Sequence, residues 1–388
     1  MKAEQAQALY CGEPMMTAAR LVRRDPEGGI PSLFAGRRVF WSFNTRVAIR
    51  AACDALALGA GDEILAPAYN CGSEVDPLID AGLTVRLYPI EEDLRADPVR
   101  IEALITGRTR AIYVTHYFGM IQPELATLRA LCDKQGLRLI EDCALSLLSG
   151  ANPAEGRTGD VAVFCFYKFV PVLQGGALVI NAPDLAVDTP FTQPAPRKTV
   201  TKTLLRAGLA NALGAERAQG LMRKLRGARP ANTPAPTDTD ELDDMPSHYY
   251  FDPALRGARI SAFAARPLRA FSVEEAITAR RANWRHYRDI LDGMPDVRML
   301  TPALAPGTCP LNMPVIVQRR DQVAQTLQAR GIGVTPWWAG FNRNVDWTGQ
   351  TGAMALKNDV LSLPLHQFLG PAHVDHIAEQ LRQTISSV

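Results

Sequence analysis

Two residues in this chain have the types and spacing to do covalent chemistry, Asp142 and Lys168. Asp142 ends the apolar run Leu137-Arg138-Leu139-Ile140-Glu141-Asp142, which reads as a buried strand with a carboxylate at its carboxyl end. Lys168 follows a second run, Val161-Ala162-Val163-Phe164-Cys165-Phe166-Tyr167, and so reaches the same sheet edge, with Gly175-Gly176 closing the segment. Ligands of open α/β sheets bind at that edge. An acid for a pyridinium N–H, with a lysine to form a Schiff base, is what pyridoxal 5′-phosphate (PLP) asks of a protein. Lysine is scarce: only Lys2, Lys134, Lys168, Lys198, Lys202, Lys224 and Lys357 occur, and arginine, which cannot form an imine, carries most of the positive charge. Among Phe164, Phe166, Tyr167, Phe169 and Val170, a lysine is expected to lose its proton through desolvation and become a nucleophile. The competing reading is a lysine snorkelling from a sheet edge into water.

The elements that must position this pair follow from pattern. Between residues 38 and 181, strand-like runs alternate with helical ones, which predicts a mostly parallel sheet covered by helices. A helix is predicted over residues 46–58, stopped by Gly59, and another over 123–134, stopped by Gly136. Short strands are expected at 63–66, 85–88 and 111–114. Beyond residue 260, Ser272 and Glu275 form the sequence signature of a capping box. Strands at 313–317 and 332–334 alternate there with helices at 323–330 and 373–384. The reading is an N-terminal arm (1–37), a large α/β domain (38–255) and a small C-terminal α+β domain (256–388). The segment 183–250 is punctuated by prolines, and 197–229 is basic with leucines at roughly helical spacing. Such a helix can lie on a membrane surface; a solvated excursion packed on its own domain is the simpler reading.

Composition narrows the partners. At 388 residues and 47 % hydrophobic the chain can bury a large core, and a net charge of +2 gives no cause to expect nucleic acid. Seven scattered cysteines show no metal spacing and no disulfide framework, so a reducing cytoplasm is expected, with no metal. The N-terminus lacks the apolar stretch of a signal peptide, and the apolar segment 161–180 is broken by Lys168, Pro171 and the double glycine.

Further candidates surround the central pair. Asn44-Thr45-Arg46 opens the first helix, where unpaired N–H groups and the dipole make an anion site; Thr45 and Arg46 could cradle the phosphate, against the plainer reading of an ordinary N-cap. Tyr69 either stacks on the cofactor ring or packs in the core. His116 either faces the substrate or is a buried, hydrogen-bonded histidine, and Gln174-Gly175-Gly176 lets backbone approach closely. Trp337-Trp338 reads as packing.

Together these residues resemble the DegT/StrS-type sugar aminotransferases, a PLP family of fold type I. The resemblance covers roughly residues 38–388, apart from 183–250, and rests on the order of several short motifs. These are Gly61-Asp62-Glu63 with Pro67, His116 to Gly119, Glu141-Asp142-Cys143-Ala144, Gly159-Asp160, Lys168 with Gly175-Gly176, Arg280-Arg281-Ala282-Asn283-Trp284 and Leu361 to His366. The resemblance implies a seven-stranded large-domain sheet, Lys168 as the Schiff-base residue and Asp142 as the pyridinium partner. It also implies a homodimer with sites at the subunit interface and transfer of a glutamate-like amino group to a keto sugar carried on a nucleotide. Cys165 and Tyr167, flanking the lysine, and Arg259 join the cofactor contacts; His116 and Gln174 become substrate candidates. The chain departs from the family pattern at several positions. Asn44-Thr45-Arg46 replaces Ser-Gly-Thr, Leu145 a histidine, Gly257 an asparagine and Gln174 an acid, and the phosphate-binding serine is missing, with Cys165 nearest. Other PLP chemistry on an amino-acid-like substrate, and a non-catalytic binding module, stay open as alternatives.

Overall fold

The computed structural model describes residues 13–14, 28–201, 204–205, 208, 242–338 and 340–388. The N-terminal arm, apart from 13–14 and 28–37, and most of the basic 197–229 run lie outside the described residues.

Seven strands form the larger sheet: β1 (Arg38–Ser42), β2 (Glu63–Pro67), β3 (Thr84–Tyr88), β4 (Thr109–Thr115), β5 (Arg138–Asp142), β6 (Val161–Cys165) and β7 (Gly176–Ile180). Their order is β1-β7-β6-β5-β4-β2-β3, with only β7 running against the rest. β2, β6 and β7 are buried at every position, as strands covered on both faces must be. This topology gathers the chemistry. β7 is antiparallel, so its first residue, Gly176, meets the ends of β1 and β6, pairing with Ser42 and with Cys165. Asp142 closes β5 in register with Thr115 of β4 and Val163 of β6. Asn44, Asp142, Lys168 and Gly176 are distant in sequence, yet all emerge at one edge of the sheet.

Helix α1 (Thr45–Ala55) leaves β1 directly, buries Val47, Ala48, Ile49, Ala52 and Cys53, and is capped by the Asn44 side chain, which accepts the Val47 N–H at 3.0 Å. Short helices α2 (Asp76–Asp80) and α3 (Pro98–Glu102) follow. Helix α4 (Leu125–Gln135) ends on Gly136 at φ 65°, the left-handed conformation a helix stop calls for.

A second, four-stranded sheet is built from β8 (Val297–Met299), β9 (Met313–Val317), β10 (Thr335–Pro336) and β11 (Val360–Leu363), in the order β10-β11-β9-β8 and antiparallel throughout. Helices α6 (Val273–Leu291), α7 (Arg320–Ala329) and α8 (Thr351–Asp359) pack on it and α9 (Pro371–Ser387) packs on α6 and α7, whereas α5 (Ala262–Arg269) lies against the 3-10 turn Ile30–Phe34. A separate core joins Trp284, Tyr287, Met313, Val315, Leu363 and Ile377. The expected capping box at α6 does not form: Ser272 occupies the N-cap, but its side chain makes no cap bond. The strand expected at 332–334 lies slightly later, at Thr335–Pro336, because pairing with Leu361 and Ser362 fixes it there.

Arg280 of α6 ties the second half of the chain to the first sheet. Fully buried, it donates to the carbonyls of Pro310 (3.1 Å), Leu311 (2.7 Å) and Lys168 (3.4 Å), and stacks 4.8 Å from the Phe169 ring centre. Burial pushes its guanidinium down to about 10. The Lys168 backbone is thereby held from the far side of the molecule.

Candidate active site

Asp142 is the anchor of the sheet edge. Its Oδ2 accepts the Tyr113 hydroxyl at 2.7 Å and its Oδ1 the Ala144 N–H at 2.8 Å. Burial raises its pKa above the ordinary carboxyl range and Glu74 adds to this, against the Tyr113 and Ala144 hydrogen bonds and the charge of Lys168. A carboxylate has about four lone-pair positions and these bonds use two, so it keeps capacity for one more N–H. Thr115, its register partner, carries a buried hydroxyl with no partner at the same edge.

Lys168 lies deep but half-accessible, with its ammonium 5.6 Å from the Trp337 ring centre. Its charge is felt at Asp142, Cys71, Cys165 and Glu13, so these groups lie within electrostatic range of the amine. The sequence reading expects a lowered pKa, and here the structure differs. Burial does push the ammonium down, but Cys165, Cys71, Asp142 and Glu13 outweigh it and hold it above the ordinary lysine value. Of these, the carboxylates supply attraction near neutrality, because burial pushes the Cys71 thiol up to about 12 and raises that of Cys165 as well. Glu13 is reached by solvent yet walled in by protein, and that desolvation, opposed by Lys168, lifts its carboxyl to about 7.

The start of α1 completes the arrangement. Thr45 donates its hydroxyl to the Phe164 carbonyl at 3.1 Å; with the Val47 N–H taken by Asn44, its oxygen lone pairs and the Thr45 and Arg46 N–H groups form the candidate anion cradle beside Cys165. Gly176 makes that closeness possible: a Cβ there would stand 2.8 Å from the Phe164 carbonyl oxygen and 2.8 Å from the Thr45 nitrogen. Gly176→Ala must therefore displace backbone, at a cost of about 1–3 kcal/mol. We expect PLP affinity, measured by fluorescence titration, to fall by roughly tenfold, or about 1.4 kcal/mol. Gly59→Ala, where the nearest atom would be 3.9 Å away, serves as the neutral control.

Other candidates land elsewhere. The Arg46 guanidinium does not turn to the cradle; its Nη1 donates to the carbonyls of His248 (2.8 Å), Tyr249 (2.8 Å) and Tyr250 (2.9 Å), pinning that segment. Tyr69 is fully buried, gives its hydroxyl to the Trp337 carbonyl at 2.5 Å and packs on Tyr117 and Trp338, so of its two readings the core one matches. His116 is fully buried as well: Nδ1 accepts the Gln122 N–H at 3.1 Å, which leaves Nε2 to donate to Glu141 at 3.1 Å. Glu141 in turn accepts the Thr158 and Gly159 N–H groups. A substrate cannot reach that ring; it braces the strand that presents Asp142. Gln174 is committed to Ser261, the N-cap of α5, at 2.5 Å. Tyr167 is half-buried beside Lys168, and Arg259 is exposed, its backbone bridged to Ser42. Glu13, Cys71, Tyr113 and Trp337 are site neighbours that sequence reasoning missed. Only Tyr113, on a strand expected beside the Asp142 strand, left a readable signal.

An acid at a sheet edge, a lysine past the neighbouring strand's exit and the N-terminus of α1 thus meet at one edge of an α/β sheet. The chain belongs to the DegT/DnrJ/EryC1/StrS aminotransferase family, whose sequence model matches residues 42–193 and 262–382. Its cofactor is pyridoxal 5′-phosphate. It is 31 % identical over 148 residues to GDP-perosamine synthase of Vibrio cholerae, covering 37 % of this chain and 40 % of that protein. It is 34 % identical over 146 residues to dTDP-3-amino-3,4,6-trideoxy-alpha-D-glucose transaminase of Streptomyces venezuelae, covering 36 % and 38 %. The chain thus spans well under half the length of the curated relatives it matches. In fold it is similar to the aminotransferase TlmJ from Streptoalloteichus hindustanus, with TM-score 0.69, 19 % identity and coverage of 97 % and 98 %. It is similar likewise to the PLP form of sugar aminotransferase Spr1654 from Streptococcus pneumoniae, with TM-score 0.68, 16 % identity and coverage of 97 % and 98 %. No helix among the described residues is long and apolar enough to cross a membrane.

Proposed function

We propose that this protein is an aminotransferase that moves the amino group of a glutamate-like donor to a keto sugar carried on a nucleotide, or to a related small ketone. The observation that carries the reading is the convergence of Asp142, Lys168 and the α1 N-terminus on one sheet edge. Bound PLP supplies an aldehyde that takes up amino groups and a ring that withdraws electrons. Asp142 keeps the ring nitrogen protonated and Asn44-Thr45 with the α1 N–H groups holds the phosphate. The Lys168 amine would hold the cofactor and would carry a proton to and from the substrate carbon. Relatives named for GDP-perosamine and for a dTDP-amino sugar support a nucleotide-linked acceptor.

Arg259, exposed on its own subunit, is assigned to the phosphate of a second copy, which makes the working unit a homodimer. The six described cysteines are unpaired, which supports a reducing, cytoplasmic setting. Glutamate added to the yellow holoenzyme should bleach the aldehyde-state absorbance within a few turnovers' time, and a nucleotide-linked keto sugar should restore it. A spectrum that glutamate leaves untouched, but that another amino acid changes without restoration by any ketone, would overturn the transfer reaction in favour of different PLP chemistry.

A further inference from the structure

Lys357 is the second buried lysine of the chain, and no step above uses it. It sits on α8, is 1 % exposed, and donates to the Asn70 carbonyl at 2.6 Å. Its ammonium lies 4.8 Å from the Phe341 ring centre and 5.1 Å from that of Trp347, two rings that meet edge to face. One carbonyl and two π faces suit the three N–H donors of an ammonium. The amine therefore grips the first residue of the turn that leaves β2.

That turn is built to be held. Asn70 donates to the Pro67 carbonyl at 2.8 Å and accepts the Gly72 N–H at 2.9 Å. Gly72 adopts φ +78°, where a Cβ would fall 2.4 Å from the Met245 sulfur. Glu74, 6 % exposed, accepts the Cys71 N–H at 3.0 Å and its thiol at 2.5 Å. Asn342, from the same segment as the two rings, donates to the Gly72 carbonyl at 3.3 Å and to Asp76 at 3.2 Å. Cys71 is the one described free cysteine that is not buried, and it stands within charge range of Lys168. The turn thus lies within charge range of Lys168 and is fastened from the other half of the chain.

We propose that Lys357 is a positioning residue that fixes the 70–74 turn, and with it the Cys71 thiol, beside Lys168. The groups facing it set the pH response. Burial lowers its ammonium to about 8; Cys71 and Glu74 raise it and Arg320 lowers it further. A released, solvated lysine would titrate near 10.4. The pinned state therefore binds the proton more weakly than the released one. Pinning strengthens as pH rises from about 8 towards that value.

Hydrogen exchange of the holoenzyme, read peptide by peptide by mass spectrometry, tests this without reference to the reaction catalysed. In Lys357→Met, protection of the peptide spanning residues 68–78 should fall by roughly tenfold or more, with β4 to β6 unchanged. In the unsubstituted protein, protection there, corrected for intrinsic exchange, should rise between pH 8 and 10, and the rise should be absent in Lys357→Met. Uniform loosening of the whole chain, no loosening of the turn, or protection that is flat or falling with pH in the unsubstituted protein would each overturn the proposal. Failure of the glutamate experiment would leave this result standing.

Discussion

Lys168→Ala is expected to yield a folded but colourless protein whose turnover falls by about 10⁴-fold or more, the upper range for loss of a general acid–base group, with covalent attachment lost besides. Folding should survive, because the ammonium makes no protein hydrogen bond among the described residues and lies 5.6 Å from the Trp337 ring centre. Because its surroundings hold that charge above the ordinary lysine value, removing it should lower stability modestly without unfolding the chain. Lys168→Arg keeps the charge but cannot form an imine, so it should be equally inactive. The check is borohydride: it should fix PLP to the unsubstituted protein and leave both variants unlabelled by mass spectrometry. A label that persists in Lys168→Ala, for instance on Lys357, would place the covalent chemistry elsewhere.

Asp142→Asn separates catalysis from stability, and the two should move in opposite directions. Asparagine keeps a carbonyl oxygen that can accept from Tyr113 or from the Ala144 N–H. It cannot hold a ring nitrogen protonated, so turnover should fall by on the order of 10³-fold, about 4 kcal/mol of barrier. PLP should still bind through Lys168 and the α1 cradle. The stability of the cofactor-free protein follows from linkage. Burial, then Glu74, raise the Asp142 pKa above its unfolded value, so the folded chain binds that proton more tightly than the unfolded one. The cost of ionising it is fully present above the folded pKa and is relieved as pH falls through it towards the ordinary carboxyl range. Cofactor-free Asp142→Asn should therefore melt higher than the unsubstituted protein at neutral pH, and the gap should narrow on acidification. A variant that melts lower at neutral pH while retaining turnover would sink both halves of this account. Such trading of stability for function is common at catalytic sites.

Much of the scaffold was legible in the chain. Period-two apolar runs and glycine stops predicted the β2, β3, β4 and β5 strands and the α1 and α4 helices, because local patterning and caps act over only a few residues. The Asp142–Lys168 pair was legible for the same reason: each ends an apolar run, and parallel strands present their ends at one edge. Contacts made by long or fully buried side chains were not. Arg46 reaches the carbonyls at 248–250 and Tyr69 reaches Trp337, partners about 200 and more positions away that no window of sequence reveals. Likewise, the type of residue at position 116 told nothing of its tautomer, which Gln122 and Glu141 assign.

Sequence alone determined that this chain carries an acid and an amine at strand ends, in a family order that implies vitamin B6 chemistry. Patterning fixes which elements form, and those elements carry their terminal residues with them. Only the tertiary structure decided the electrostatic state of that amine. Desolvation argues for a neutral lysine, yet Cys165, Cys71, Asp142 and Glu13, brought together from separate parts of the chain, hold its pKa above the ordinary value. Electrostatic work depends on distances between groups far apart in the chain, and those distances exist only once the fold has closed.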